Sequence, residues 1–165
     1  MTMDEQNVIT KIRKNHALEH ATIAVLIQKT GINTRLMGRS SPDGFHIYGN
    51  VPRDEVLKAA EEGLSRLKRG ESSLAVSPLC GTNLAVAGIF AGIAALLTFR
   101  GRNRTENIPR VLLATTLAVV AAQPLGRFTQ KYLTTSPDVD DLEIIDIQSN
   151  QHSRYIHHKI KTVQG

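Results

Sequence analysis

The residues whose types and spacing suit chemistry lie in Asn15-His16-Ala17-Leu18-Glu19-His20-Ala21-Thr22. On a helix, side chains four residues apart stand one above the other, so His16 and His20 project toward a common point with Glu19 beside them. Two imidazoles so related form a zinc-type ligand pair, and a neighbouring carboxylate can take a proton from metal-bound water. His16 and His20 are therefore candidate metal ligands, and Glu19 is the candidate general base. The lone thiol, Cys80, is the candidate third ligand, with Asn15 and Asn83 as candidate polar lining of the same pocket. Zinc is the cofactor such a set would take. Without a metal, the trio forms a buried hydrogen-bonded network in which Glu19 fixes a histidine tautomer. Spacing leaves both readings open, and the network is the simpler.

The surrounding helix makes the polar trio conspicuous. Over residues 8–28, Ile9, Ile12, His16, Glu19, His20, Ile23 and Ile27 fall on one face, so the three polar groups interrupt an isoleucine stripe. Ala17, Leu18, Ala21 and Val25 occupy the opposite side, as expected of a helix sandwiched between layers. Imidazole and carboxylate groups buried there must pair with each other, with other polar groups or with an ion. His16-x-x-Glu19-His20 also fits the H-x-x-E-H pattern of inverted-motif zinc peptidases. The distal acidic ligand of that pattern would fall in hydrophobic sequence and a basic loop whose only acid is Glu106.

The elements that would position these residues follow in order. The first helix should start near Asp4 or Asn7 and run to Thr30, with Gly31 as its stop. Asn33–Arg39 and Phe45–Gly49 then read as a β-hairpin around Ser40-Ser41-Pro42-Asp43-Gly44, with Phe45 and Ile47 on one face and His46 and Tyr48 on the other. An amphipathic helix from Pro52 to Arg69 follows, and Ser73–Ser77 reads as a third strand. Residues 1–78 thus form a small α+β domain, helix–hairpin–helix in plan.

Residues 79–133 carry two charge-poor apolar runs around the basic loop Arg100–Arg110. A span needs about 20 apolar residues, so the pair reads as a two-helix transmembrane hairpin, the second span drawing on Arg127–Leu133. Gly88-x-x-x-Gly92 and Ala114, Ala118 and Ala122 are expected to pack the pair, and Thr82 or Asn83 to cap the first span. Residues 134–165 read as a linker and a short C-terminal β-hairpin, Leu142–Ile147 with Tyr155–Thr162.

Composition narrows the function classes. Aromatic residues make up 4% of the chain and tryptophan is missing, which disfavours a base-stacking platform. The net charge is +5, but the bases flank apolar runs, as membrane-interface anchors do. The expected partners are membrane lipid and a second copy or another membrane protein, with no nucleic acid. One cysteine makes no internal disulfide. The polar Met1–Gln6 does not read as a signal peptide, so both termini of a two-span cell-membrane protein are expected in the cytoplasm.

Arg13-Lys14-Asn15-His16-Ala17-Leu18-Glu19-His20-Ala21-Thr22, Gly38-Arg39, Gly44-Phe45, Gly49 and Ser77-Pro78-Leu79-Cys80-Gly81-Thr82-Asn83, followed by two hydrophobic runs, resemble one family of small bacterial two-pass membrane proteins. That family is an uncharacterised domain of unknown function. The resemblance implies a small N-terminal domain on two spans, and no activity. The expected function is a membrane-anchored interaction or assembly module with a buried His/Glu site. The alternative is a zinc-dependent, membrane-proximal hydrolase or peptidase using the trio.

Overall fold

The computed structural model describes residues 3–31, 35–99, 104–152 and 154–165. The chain is α+β and forms two compact units, one of Met1–Ser77 with Lys131–Gly165 and the other of Pro78–Gln130. The first unit is therefore discontinuous in sequence. The part of the first hairpin strand expected at 33–34 and the loop residues 100–103 lie outside the described residues.

In the first unit, helix α1 (Met3–Thr30) ends at Gly31, whose φ of 84° only glycine adopts without strain. Strands β1 (Met37–Ser41) and β2 (Gly44–Gly49) form the expected hairpin, but its turn is tighter than the sequence suggests. Ser41 pairs with Gly44, so only Pro42 and Asp43 stand between the strands. The Ser41 hydroxyl donates to Asp43 Oδ1 at 2.8 Å, a local bond typical of such turns. Helix α2 (Arg53–Lys68) follows Pro52 as expected.

The expected strand at Ser73–Ser77 is absent. Ser72–Ala75 instead form a 3-10 turn, because the Leu74 and Val76 N–H groups donate to the Glu71 and Ser73 carbonyls and have none left for a ladder. The C-terminal hairpin, β3 (Leu142–Gln151) and β4 (Ile156–Gln164), does not stand apart. Strand β4 pairs antiparallel with β2, giving one four-stranded sheet of order β1-β2-β4-β3.

Strand alternation then decides the core. Phe45, Ile47, Ile160, Leu142 and Ile147 are buried beneath Ala17, Leu18, Ala21 and Val25 of α1 and Val56, Ala59 and Ala60 of α2. Fully burying a side chain such as Phe45 or Leu18 contributes about 1.5–3 kcal/mol. The two helices approach closely at Gly63, where a Cβ would meet Ala21 at 3.1 Å. His46, Tyr48 and His157 lie on the other face of the sheet. Tyr48 and His157 stack at 4.7 Å between centroids, and His46 Nδ1 and His157 Nε2 are hydrogen bonded at 2.8 Å.

The second unit is a helical hairpin of α3 (Gly81–Thr98) and α4 (Arg104–Thr129). Both are long and apolar enough to cross a membrane, the second counted as Asn107–Thr134 through a π turn at Gln130–Thr134. Only 11% and 6% of their apolar stretches are buried, so these are not core helices of the hairpin itself. Ala87 and Ala122 are buried in the seam, and Gly126 lies against Asn83, whose amide oxygen accepts from Gln130 Nε2 at 2.7 Å. The expected glycine packing is corrected: Gly88 and Gly92 are exposed, with open space where a Cβ would stand, and alanines with Gly126 fill the seam instead. The cap also differs from expectation. Cys80 is the N-cap of α3, its sulfur accepting from Thr82 N, while Asn83 donates to the Pro78 carbonyl at 3.0 Å.

Candidate metal centre on the first helix

The site sits where α1 passes the two segments of the first unit that continue into α3 and out of α4. One is the 3-10 turn Ser72–Ala75, and the other is the stretch after Lys131. His20 Nδ1 lies 2.8 Å from the Ala75 carbonyl oxygen, and His16 Nδ1 lies 2.9 Å from the Thr134 carbonyl oxygen. A carbonyl only accepts, so each ring donates from Nδ1. In the neutral form this leaves the lone pair on Nε2 of both rings. Nδ1–H donation to a carbonyl is also the outer-shell bond that orients metal-ligating histidines.

The rings stand edge to face, with centroids 4.4 Å apart and 60° between planes. His20 is 3% exposed, and its Nε2 has no hydrogen-bond partner. Among the described residues, the buried side-chain polar atoms without a partner are Arg13 Nε, His20 Nε2 and Thr134 Oγ1. All three belong to residues of this one network. Arg13 is one turn before His16, and its guanidinium donates to the Tyr132 and Thr135 carbonyls at 3.1 Å each. Buried orphans are uncommon, and of these three only His20 Nε2 is a lone-pair nitrogen able to ligate a metal.

Glu19 is 5% exposed, and its carboxylate lies over the Cα of Gly38. A side chain at position 38 would collide with Glu19 Oε1, so the glycine gives the buried carboxylate its space. Asn15 faces away from the histidines' partners. It donates to the Ser41 and Pro42 carbonyls and accepts from Thr162 Oγ1 at 2.6 Å, joining α1 to the hairpin turn and β4. Cys80 and Asn83 belong to the second unit, with the partners given above.

Sequence reasoning missed Arg13 and Thr134. Arg13 carried a signal, since it lies three residues before His16 on the same face; the carbonyls of Ala75 and Thr134 carried none. His158, by contrast, is a core group. Its Nε2 donates to the Val51 carbonyl at 3.0 Å and its Nδ1 accepts from Ser149 Oγ at 2.7 Å. Burial pushes its pKa below the usual histidine value. His46 is pushed down too, first by burial and then by the charge of His157.

Residues 11–147 match a family described as a domain of unknown function, DUF6391. An uncharacterized protein of Picosynechococcus sp. is 32% identical over 152 residues, covering 84% of this chain and 72% of that protein. No solved structure matches.

Proposed function

The chain belongs to the DUF6391 family, a domain of unknown function, and from that premise we propose a membrane-anchored protein whose sheet-bearing unit holds a zinc-like transition-metal ion at His16 and His20. The observation that carries this reading is His20 Nε2, a buried lone pair without a partner on a ring whose other nitrogen is already donated. Imidazole nitrogens suit zinc and its first-row neighbours, and a buried imidazole left unpaired costs free energy that an ion would recover. The sheet-bearing unit lies on one side of the membrane because the chain leaves it once and returns once; that side is the cytoplasm in our reading.

The ion also has a mechanical consequence. Each ligating ring would hold a carbonyl of a segment leading to or from the anchor, Ala75 through His20 and Thr134 through His16. Metal loading would thus brace both segments against α1, which is the work of an assembly module. The outward-facing Gly88 and Gly92 support self-association of the anchor through close helix contact.

Hydrolysis is the second reading, favoured by a buried carboxylate next to the histidines in the H-x-x-E-H order. In it, His16 and His20 would hold the metal, which would supply Lewis acidity toward water, and Glu19 would be the proton acceptor. Cys80, five residues beyond Ala75 in the chain, is our proposed third ligand.

Cobalt substitution of the detergent-purified protein tests these roles together. We expect tetrahedral d–d absorption, a sulfur-to-cobalt charge-transfer band lost in Cys80→Ser, and no cobalt uptake in His16→Ala/His20→Ala. Glu19→Gln should keep the cobalt; persistent turnover of any substrate in that variant would eliminate the hydrolase reading. Release of the protein from membranes by alkaline carbonate would eliminate the anchor.

A further inference from the structure

A cavity of about 330 Å³ opens in the sheet-bearing unit between the same two segments that the histidines hold. Ser72, Ser73 and Lys131 supply its polar wall, and Ala75, Val76 and Pro137 its apolar wall. We propose that this cavity binds a phosphate-type anion carried on an apolar body.

Tyr132 and Thr135 complete the lining. The Lys131 ammonium only donates, the Ser72 and Ser73 hydroxyls can turn to donate beside it, and no carboxylate lines the cavity. Lys131 makes no ion pair among the described residues; its Nζ lies 5.4 Å from the Tyr132 ring centroid. Arg13 is bonded to two lining residues and Thr134 adjoins one in the chain. Arg13 holds the carbonyls of Tyr132 and Thr135, both lining residues, while its Nε–H stays buried and unpartnered, as does the Thr134 hydroxyl. A pocket lined by a cation and hydroxyls, without a carboxylate, suits an acceptor with several oxygens. Phosphate supplies those oxygens, and the apolar wall fits a hydrocarbon or ester portion next to it.

Two sources offer that chemistry, the headgroup of an anionic phospholipid and a free organic phosphate. The headgroup source rests on the membrane anchor proposed above, since Lys131 directly follows Gln130, the last residue of the helical hairpin. The free source does not.

The test uses the full chain in detergent. In native mass spectrometry with equal amounts of phosphatidylglycerol and phosphatidylcholine, the wild type should retain the anionic lipid about fivefold better, the effect of one lysine near a lipid phosphate. Lys131→Ala and Ser72→Ala/Ser73→Ala should bring the ratio near one. Lys131→Arg should preserve it, and so should Lys58→Ala, at an exposed position that does not line this cavity. In parallel, inorganic phosphate should slow amine acylation of Lys131 relative to Lys58. Lys131 protection with no lipid preference assigns the site to a free phosphate and leaves it standing even if the carbonate wash has removed the anchor. Neither effect, or an equal loss in Lys58→Ala, overturns the site.

Discussion

His16 and His20 stand edge to face on one side of α1, their centroids 4.4 Å apart, and each is turned by a carbonyl more than fifty residues away in the chain. The Ala75 carbonyl takes the Nδ1–H of His20 and the Thr134 carbonyl that of His16. The bonds select the same tautomer in both rings and leave Nε2 of each as the lone-pair nitrogen on which the proposed metal site rests. A histidine pair serving only as core packing has no need of matched tautomers with a buried nitrogen left over.

Gly38→Ala should destabilise the sheet-bearing unit by about 1–3 kcal/mol, the usual cost of forcing extra atoms into a packed interior. The new methyl group would press on the buried Glu19 carboxylate and so push on the turn of α1 that carries the ligand His20, and metal retention should fall with that displacement. Thermal unfolding with and without added zinc measures both. Unchanged stability and retention would mean that Glu19 has room to move.

Asn15→Ala separates scaffold from site. It removes hydrogen bonds to Ser41, Pro42 and Thr162 and should cost about 1–3 kcal/mol. The amides of the Pro42–Asp43 turn should exchange faster with solvent, while metal content per folded chain stays unchanged. Loss of metal from the folded variant would return Asn15 to the site.

Stability should fall on acidification below about pH 6.5. His158 is buried neutral with both nitrogens committed, and burial depresses its folded pKa from 6.5. The unfolded chain then binds the proton first, so the stabilisation is full above 6.5 and is lost as pH falls through the depressed value. His46 shifts in the same direction and adds to the slope. Denaturation midpoints between pH 8 and 5 check this, and His158→Gln should flatten the curve. Asp43 acts lower, between about 4 and 2, because hydrogen bonds from Lys159 and Ser41 bring its pKa from 3.8 to about 2.

Asn83 and Gln130 should couple in the helical hairpin. Their amide–amide bond joins the start of α3 to the end of α4 beside Gly126. A double-mutant cycle with alanine at both positions should give about 1 kcal/mol of coupling in detergent or bilayer. A value near zero would mean that each amide finds another partner.

Local chemistry carried much of the fold. Gly31, Pro52 and the Pro42-Asp43-Gly44 turn mark element ends by restricting the backbone, and strand alternation separated Phe45 and Ile47 from His46 and Tyr48. The long-range part was not readable. Pairing of β4 with β2 depends on contacts more than one hundred residues apart, and the Ser72–Ala75 turn arises from carbonyl capture that alternation of Leu74 and Val76 conceals. In the site, helical spacing brought out His16, Glu19 and His20. The groups that orient them are main-chain carbonyls of Ala75 and Thr134, and any residue type supplies those. The outward turn of Gly88 and Gly92 likewise depends on which face α4 covers, which a G-x-x-x-G motif does not encode.

The most direct measurement is the zinc content of protein extracted from native membranes in gentle detergent, compared with His20→Ala prepared alongside. About one zinc or related first-row ion per chain is expected in the wild type, and far less in the variant at equal folded yield. A metal-free wild type whose unfolding temperature is the same with zinc as with a chelator would contradict it.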